Sequence, residues 1–536
     1  MNKKIPLIVS ISPVIFLILI LSFNVIIFGT DSLSGANQLA LIFSGFIAAL
    51  LGLKYGSKWE DIMKGISKGI ANTTPAIIIL LLIGSLAGTW LISGIIPAMI
   101  YYGLQIIDPK IFLFATAIVS SIVSLATGSS WSTIATIGIA LLGIGQAIGI
   151  STGLIAGAII SGAYFGDKLS PLSDTTNLAS AITNTEIMTH IKYMMYTTFP
   201  SFFITLLIFL VIGFNYDFQT SSNDINEILN ILKNKFNVTP LLFLVPILTI
   251  FLIIKKIPAI PVLIIGTLLG AVFSFFFQSK LLNELSDNSL SKSQAHYKTI
   301  INSMSSSINL KDTNYELNNV IKIKYKKQSP SEKIDPEQIN LSEDKLEKIL
   351  NGETIMIDYS SALNFEENHP VKIEALKRSD LLKSGGMSGM LNTIWLIICA
   401  MIFGGVMQAN GFLKRIAQPI IKYAKSNTSL ISSTVGTCFF FNLTASDQYL
   451  SIVVPGKMYV NSYKKMNLSS ENLSRTIEDS GTVTSVLIPW NTCGATQSSV
   501  LGVATLTYLP YCFFNLISPL MTILFSYYKI RIKKNI

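Results

Sequence analysis

Charged side chains are scarce in this chain. Only 13% of its 536 residues are Asp, Glu, Lys or Arg, whereas about 25% is usual for a soluble protein. The four cysteines lie in apolar stretches without a CxxC motif, and the three histidines are far apart, so we expect no resident metal and no disulfide framework. No GxxxxGK[ST] loop is present either, so the sequence contains no P-loop for ATP binding. We expect no cofactor.

The sequence is instead rich in long apolar runs. Half of the residues are apolar, and the mean hydropathy is +0.55. Several uncharged runs, the first at 5–29, are long enough for a helix to cross a bilayer, which takes about 18 residues or more. We predict an all-α polytopic membrane protein with about 11–14 hydrophobic segments.

Basic residues in the short loops indicate the orientation. They concentrate on the side that carries the N-terminus, and positively charged short loops generally face the cytoplasm. We therefore predict a multi-pass protein of the cytoplasmic membrane with both termini in the cytoplasm. This assignment places Lys168 and Arg475 in cytoplasmic loops.

A polar block divides the apolar sequence. Residues 278–390 are rich in Ser, Asn and Lys and contain two strand-like pieces, VIKIKY (320–325) and TIMIDY (354–359). We predict an N-terminal membrane half at 1–277, a polar extramembrane insertion at 278–390 and a C-terminal membrane half at 391–536. Composition leaves open whether the insertion is a small domain or a disordered linker.

Each membrane half contains a polar cluster set among apolar runs. The clusters include TGSSWST (127–133) and GAYFGDKLSPLSDTTN (162–177) in the first half, and NLTASDQY (442–449) and EDSGTVTSVLIPWNTC (478–493) in the second. One cluster per half is typical of transporters with internal repeats, in which interrupted helices meet near the bilayer midplane. We predict two pseudo-symmetric halves with broken or re-entrant helices, although no residue-by-residue alignment of the halves is apparent.

The clusters supply candidate ligands. A carboxylate at membrane depth costs at least roughly 2.5–3.5 kcal/mol, so it survives mainly where it carries ions or protons. Carboxylate, hydroxyl and amide oxygens also suit a hard cation such as Na⁺. We predict that the following side chains bind the ion or substrate: Asp167, Asp174, Thr175, Thr176, Asn177, Asn442, Thr444, Asp447, Asp479, Thr482, Asn491 and Thr492.

These residues also have structural interpretations. The alternative for the acids is a position at the membrane–water interface, where they would pair with Lys168 or Arg475. This alternative is strongest for Glu478. A lone Ser or Thr in a membrane helix commonly bonds the carbonyl four residues back. Helix breakers beside the acids, such as Pro171 and Pro489, favour a site, because irregular backbone in a bilayer is tolerated only where protein buries it or it lines a cavity.

One small-residue pattern has a structural explanation. Gly153, Gly157 and Ser161 are spaced by four residues and therefore share one face of a helix. Small residues on a membrane helix let a neighbouring helix approach closely. We predict that this stripe serves helix packing.

The polar motifs resemble those of the NhaC-type Na⁺/H⁺ antiporter family. The stretches GAYFGDKLSPLSDTTNLA, TASDQYLSIVVPGKMY, LSRTIEDSGTVTSVLIPWNTCGA and LPYCFF occur in this order, and GGMSGMLNTIWLIICAMIFGG (385–405) is also similar. The resemblance implies inverted repeats and exchange of Na⁺ for H⁺ by alternating access. It places Asp167, Asp174, Asp447, Glu478 and Asp479 in the family's polar motifs. The 278–390 block is longer than the family pattern.

The partners expected are Na⁺, H⁺ and the lipid bilayer, with no nucleic acid; a homodimer is compatible with the sequence. The alternative function is a Na⁺-coupled or H⁺-coupled organic solute transporter, for dicarboxylate/lactate exchange or amino acid uptake. An Arg inside a span would favour a carboxylate substrate. The nearest basic residues are Lys168, Lys457 and Arg475, outside the spans, which favours a cation, although helix N-termini can also hold a carboxylate. No catalytic constellation indicates an enzyme.

Overall fold

The computed structural model describes residues 5–28, 35–216, 222–286, 289–310, 321–325, 355–357, 371–375, 382–422 and 426–534. The chain forms two compact units. The larger consists of Met1–Ser307 and Ser384–Ile536, and the smaller of Ile308–Lys383. Residues 278–307 of the predicted insertion therefore belong to the larger unit. The location of the insertion relative to the membrane stays a prediction.

Helices make up the larger unit, because backbone groups inside a bilayer have to be satisfied within the segment. Before the polar block the helices are α1 Leu7–Phe28, α2 Ala36–Lys54, α3 Trp59–Ile92, α4 Ile95–Ile106, α5 Phe112–Thr127, α6 Ser130–Thr133, α7 Ile139–Ala147, α8 Thr152–Leu169, α9 Asp174–Thr183, α10 Ile187–Asn215, α11 Ser222–Lys235, α12 Leu244–Ile254 and α13 Ala259–Phe277. A π-helical segment, Ile134–Gly138, joins α6 to α7.

The remaining helices follow the same order along the chain. They are α14 Ser279–Leu285, α15 Lys292–Ser305, α16 Leu391–Ala409, α17 Phe412–Lys422, α18 Asn427–Thr444, α19 Gln448–Lys465, α20 Ser470–Ile477, α21 Thr492–Leu501, α22 Thr505–Tyr508 and α23 Phe513–Tyr527. A second π-helical segment, Glu478–Thr482, continues α20, and a 3₁₀ turn at Ser485–Leu487 follows it.

Within the described ranges, 8 helices are long and apolar enough to cross a membrane, or up to 10 if each of two bent helix pairs is one span. The bent pairs are Ile228–Lys235 with Pro240–Ile254, at 86°, and Thr505–Tyr511 with Phe513–Tyr527, at 55°. The predicted all-α polytopic fold with broken helices is confirmed. The predicted segments outnumber these spans because some of the helices are too short or too polar to count, such as α8, which has Asp167 and Lys168 in its last turn.

Close helix packing surrounds α8. A Cβ added at Gly153 would lie 2.4 Å from the carbonyl oxygen of Thr507, and one at Gly157 would lie 2.5 Å from the Cβ of Tyr511. Both distances are far too short for real Cβ contacts. The predicted packing role of the small-residue stripe is confirmed at these two glycines.

The polar block begins with two helices that belong to the larger unit. The hydroxyl of Ser85, on α3, donates to the carbonyl of Met304, on α15, at 3.1 Å. A Cβ at Gly88 would lie 1.8 Å from the carbonyl oxygen of Ser303. The sequence at 292–305 is therefore packed against α3.

The smaller unit contains an antiparallel sheet. Its strands β2 Ile321–Tyr325, β3 Ile355–Ile357 and β4 Val371–Ala375 are ordered β3-β2-β4, with Ile323 opposite both Ile355 and Ile373. The short strands β1 Ile308–Asn309 and β5 Lys383–Ser384 flank them in sequence. The described parts of the two strand-like pieces predicted in the block, Ile321–Tyr325 and Ile355–Ile357, are thus strands.

Candidate functional site

Two helix breaks of the same local form lie in the two membrane halves. After α5, Gly128 has φ 68°, and the side chain of Ser129 caps α6 by accepting from the backbone N–H of Ser132. After α18, Ser446 has φ 58°, and the side chain of Asp447 caps α19 by accepting from the backbone N–H of Leu450. A left-handed residue followed by a capping oxygen stops one helix and starts the next.

A second pair of breaks matches in the same way. The side chain of Ser173, two residues after Pro171, caps α9, and that of Asn491, two residues after Pro489, caps α21. The spacing from Ser129 to Ser173 equals the spacing from Asp447 to Asn491. The four breaks therefore give a residue-level register between the halves.

Hydrogen bonds between helices follow that register. In the first half, the hydroxyl of Ser124 donates to the carbonyl of Ala163 at 2.5 Å, 39 residues away. In the second half, the amide of Asn442 donates to the carbonyl of Gly481 at 2.7 Å, also 39 residues away. The repeat is a feature of backbone conformation and spacing rather than of residue identity, which explains why the sequence did not reveal it.

Both halves contribute to one cavity of about 750 Å³. Its polar wall contains Asp167 and Asp174 from the first half, and Asp447, Gln448 and Thr492 from the second. The turn between α12 and α13 and the middle of α3 complete the lining. The exposed side chain of Lys256 is the one basic group among the lining residues, against three carboxylates. The cavity therefore favours a cation.

Asp167 is the carboxylate best placed to bind a cation there. It is 5% exposed, and its Oδ2 accepts from the backbone N–H and the hydroxyl of Ser130 at 3.0 and 2.7 Å. Its Oδ1 has no hydrogen-bond partner in the described part of the chain. Ser130 begins α6, so this carboxylate lies at a helix N-terminus with one oxygen free to receive a cation or a proton.

The other two cavity acids are held by their own helix starts. Asp447 is 5% exposed, and its Oδ1 accepts from the N–H of Leu450 at 2.9 Å. Asp174 is exposed; its Oδ1 accepts from the N–H of Thr175 at 2.9 Å, and its Oδ2 accepts from the hydroxyl of Tyr449. Tyr449 follows Asp447 closely, so this last contact joins the two halves across the cavity.

The next predicted residues do not line the cavity and bond to neighbouring backbone or side-chain groups. Thr175 donates to Glu478 Oε1, Thr176 to the carbonyl of Lys168, and Asn177 to the carbonyls of Pro171 and Ser173. Thr444 donates to the carbonyl of Phe440, the bond expected of a helical threonine. Of the predicted set, Asp167, Asp174, Asp447 and Thr492 line the cavity, and the ion-binding roles of all of them stay predictions.

Two asparagines of the predicted set brace the second-half breaks. The amide of Asn491 donates to both the carbonyl and the Oδ1 of Asn442 at 3.1 Å. Asn442 in turn donates to Thr484 at 2.9 Å as well as to Gly481. Thr482 is fully buried, and its hydroxyl has no partner among the residues that the structure describes.

Asp479 lies in a second buried cluster. It forms an ion pair with Lys168 and accepts from the hydroxyls of Thr197, at 2.8 Å, and Thr522. Lys168 also donates to Ser518 at 3.1 Å. Both charged side chains are fully buried. The structural interpretation weighed for the acids, a pairing with Lys168, thus applies to Asp479.

The assignment of Lys168 and Arg475 to loops was wrong, because both lie in helices. Lys168 is the penultimate residue of α8, and both side chains are 0% exposed. Asp479 compensates the charge of Lys168, and the guanidinium of Arg475 lies 4.7 Å from the ring centroid of Tyr193. Compensation of this kind depends on residues distant in sequence, so loop charge counting misses it.

Three further residues were not predicted as site residues. Gln448 and Tyr449 line the cavity directly after Asp447. Glu478, the first residue of the second π-helical segment, is fully buried and accepts from the hydroxyl of Thr175. The Oε2 of Glu478 has no partner within the described ranges. Its position in the run EDSG next to Asp479 was the available signal, but proximity to basic residues favoured an interface position.

The chain is similar in sequence to several known proteins. A sequence model described as the Na⁺/H⁺ antiporter family matches residues 162–291 and 351–530. The chain is 34% identical over 514 residues to the malate-2H⁺/Na⁺-lactate antiporter of Bacillus subtilis, covering 96% of this chain and 92% of that protein. It is 33% identical over 497 residues to the Na⁺/H⁺ antiporter NhaC of Alkalihalophilus pseudofirmus, covering 93% and 91%. It is 29% identical over 522 residues to the arginine/ornithine antiporter ArcD of Halobacterium salinarum, covering 97% and 91%.

Proposed function

Because the chain belongs to the Na⁺/H⁺ antiporter family, we propose that it exchanges Na⁺ for H⁺ across the cytoplasmic membrane, with Asp167 as the carboxylate that the two ions share. The observation that carries this proposal is the unpartnered Oδ1 of Asp167 in the wall of a cavity to which both halves contribute. A carboxylate that holds either one proton or one Na⁺ couples the two fluxes by competition.

The chemistry at the site follows from the helix starts. Hydrogen bonds from Ser130 fix the Asp167 carboxylate and leave Oδ1 for the ion. Asp447, at the equivalent break of the second half, supplies further carboxylate oxygen, and Thr492 and Gln448 supply neutral oxygens. Oxygen ligands of this kind suit a hard cation. Na⁺ and H⁺ are cargo in this scheme, and no cofactor takes part.

The cavity mouth supports an inward-open conformation. Asn72 and Lys256 line the cavity and are exposed, and Lys256 belongs to the short basic loops that the charge bias assigns to the cytoplasm. Alternating access then requires the breaks of the two halves to move relative to the α3 and α12–α13 walls, as in other transporters with discontinuous helices. Both termini are cytoplasmic in this orientation.

Proteoliposomes test the proposal. Na⁺ alone should alkalinise acid-loaded vesicles that contain the wild-type protein. Asp167→Asn should abolish this Na⁺-dependent proton movement, and Asp447→Asn and Asp174→Asn should weaken it, without loss of membrane insertion. The matched control is Asp61→Asn, because Asp61 is an exposed acid in the first turn of α3, outside the cavity lining. Near-normal transport by Asp167→Asn would remove that residue from the site.

One observation favours a second candidate, the exchange of an organic solute. The cavity volume of about 750 Å³ falls in the range of roughly 300–1,000 Å³ typical of small-molecule sites and exceeds the need of a metal ion. Trp131 and Tyr449, each two residues after the capping residue of its break, both line it. Two relatives are named for organic solutes, malate with lactate and arginine with ornithine.

The charges at the cavity discriminate between these solutes. Three carboxylates repel a dicarboxylate, whereas they attract an ammonium or guanidinium group, which aromatic faces also stabilise. The same vesicles should therefore be assayed with malate, lactate, arginine or ornithine added. Proton movement that appears only with one of these solutes would replace simple Na⁺/H⁺ antiport by solute exchange.

A further inference from the structure

The last described residues are bound to the protein along their whole length. Residues 531–534, here named the C-terminal strap, lie beside the turn that precedes α20. Leu468 and Lys534 form an antiparallel bridge, and the backbone N–H of Ser469 donates to the carbonyl of Lys533 at 3.1 Å.

Two polar side chains form hydrogen bonds with the backbone of the strap. The amide of Asn472, on α20, donates to the carbonyl of Lys533 at 2.6 Å. The hydroxyl of Tyr193, on α10, accepts from the N–H of Lys533 at 3.1 Å and contacts both Asn472 Oδ1 and the carbonyl of Arg531. Tyr193 therefore joins α10, α20 and the strap at one point.

Charged groups add to this anchorage. The fully buried guanidinium of Arg475 donates from Nη1 to the carbonyl of Arg531 at 3.4 Å. The Nζ of Lys533 lies 2.5 Å from Glu471 Oε1, and this hydrogen bond raises the pKa of Lys533 above its ordinary value. A buried guanidinium needs hydrogen-bond acceptors, so the strap carbonyl is part of the environment that keeps Arg475 inside.

The strap is connected to the buried ion pair by two short routes. The first is α20, which carries Asn472 and Arg475 and continues directly into the π-helical segment with Asp479. The second is α10, where Thr197 lies one helical turn after Tyr193 and donates to Asp479 at 2.8 Å. Asp479 pairs with Lys168, which is the neighbour of Asp167 in sequence.

We propose that the C-terminal strap is a positioning element of the ion site, and that Tyr193 and Asn472 are positioning residues that act through α10, α20 and the Lys168–Asp479 pair. With the strap in place, both helices that hold Asp479 keep their spacing. Without it, α20 and α10 lose the hydrogen bonds that tie them to the strap, and the π-helical segment that continues α20 is an irregular element that depends on its surroundings. The transport consequence rests on the proposed function, whereas the structural consequence does not.

The structural consequence is measured by amide hydrogen exchange on the detergent-solubilised full-length protein. The variants are a truncation after Ile530 and Tyr193→Phe, which keeps the ring below Arg475 but removes the hydroxyl. The matched control is Tyr196→Phe, the same substitution one turn along α10, because Tyr196 meets Arg531 through its ring, which Phe retains. We expect exchange in 474–484 to accelerate by at least about tenfold in both variants and to stay at the wild-type rate in the control.

The transport consequence is measured in proteoliposomes as the rate of proton movement against Na⁺ concentration. Both variants should raise the KM for Na⁺ by about three- to tenfold, the usual size of coupling through a contiguous network, while Tyr196→Phe stays within about twofold of wild type. Restoring the strap by adding a peptide of residues 529–536 to the truncated protein should lower KM again.

Different results would overturn the positioning role of the strap and the proposed transport function. Wild-type exchange rates in 474–484 for both variants would overturn the positioning role whatever the transport result. A lower thermal midpoint with unchanged KM would make the strap a stabilising element only and would also overturn it. Absence of Na⁺-dependent proton movement in the wild type would instead count against the proposed function and leave the exchange result to decide the strap. Tyr193→Phe keeps the experiment decisive if the truncated chain fails to insert.

Discussion

The buried pair of Lys168 and Asp479 yields the sharpest prediction of this structure. Both side chains are 0% exposed, and they lie on α8 and on the π-helical segment of the other half. Asp479→Asn removes the counter-charge and leaves the Lys168 ammonium with neutral acceptors, the hydroxyl of Ser518 and the amide oxygen of the new side chain. Removal of one partner of a buried pair typically costs about 3–5 kcal/mol. We therefore expect Asp479→Asn and Lys168→Met each to lower the free energy of unfolding by about that amount.

The double variant shows whether the single variants lose stability because a charge is left unpaired or because side-chain packing is lost. Lys168→Met/Asp479→Asn has no unpaired charge, and Met retains most of the aliphatic length of Lys168, whose ammonium lies 5.7 Å from the ring centroid of Phe514. Neutral replacements of a buried pair are often tolerated, so the double variant should cost less than either single one, by about 2 kcal/mol or more. The assay is the free energy of unfolding in mixed detergent micelles for all four proteins. Additive losses would refute the inference that the pair compensates charge.

Two further predictions concern the backbone and the insertion. Gly128→Ala should destabilise the protein by about 1–3 kcal/mol, because Gly128 has a left-handed φ of 68° and the new Cβ would lie 2.5 Å from the Cβ of Leu172. Ser446→Gly, at the equivalent break of the second half, should be neutral or stabilising by up to about 1 kcal/mol, because glycine adopts a left-handed φ without strain. Thermal midpoints of the purified variants check both, and a stabilising Gly128→Ala would contradict the left-handed, closely packed position of Gly128. The N–H of Leu310 donates to the carbonyl of Leu382 at 2.9 Å, so a short Gly/Ser linker can join these two residues. Replacing residues 311–381 by such a linker should therefore leave transport measurable. Deletion of 292–305 should instead abolish folding, because it exposes the face of α3 that α15 covers. Vesicle transport and membrane yield distinguish the two deletions, and loss of both with the 311–381 linker would mean that the insertion is structural.

The membrane class was readable from the sequence because hydropathy is a local property. The apolar runs, the scarcity of charge and the order of the polar motifs predicted an all-α polytopic transporter with broken helices, and the structure and the comparisons confirm it. The prediction of breaks near Pro171 and Pro489 also depended only on local chemistry, since proline and polar clusters interrupt apolar helices wherever they occur.

The composition of the site depended on contacts between distant residues. Asp167 and Asp479 looked alike in sequence, as acids beside apolar runs. The fold gives Asp167 a place in the cavity wall with an unpartnered oxygen and gives Asp479 a counter-charge from Lys168, 311 residues away. The equivalence of Ser129 with Asp447 was also hidden, because the repeat preserves a left-handed φ and a capping oxygen, which different residue types supply.

The sequence by itself thus determined the class of the protein, the oxygen-rich segments and the places where helices break, since each of these follows from side-chain chemistry within a few residues. The tertiary structure decided which acids face the cavity, which charge is neutralised by an ion pair and which elements the C-terminal strap holds. The physical reason is that the cost of a buried charge depends on its partners in space. In this chain those partners come from opposite halves of the sequence.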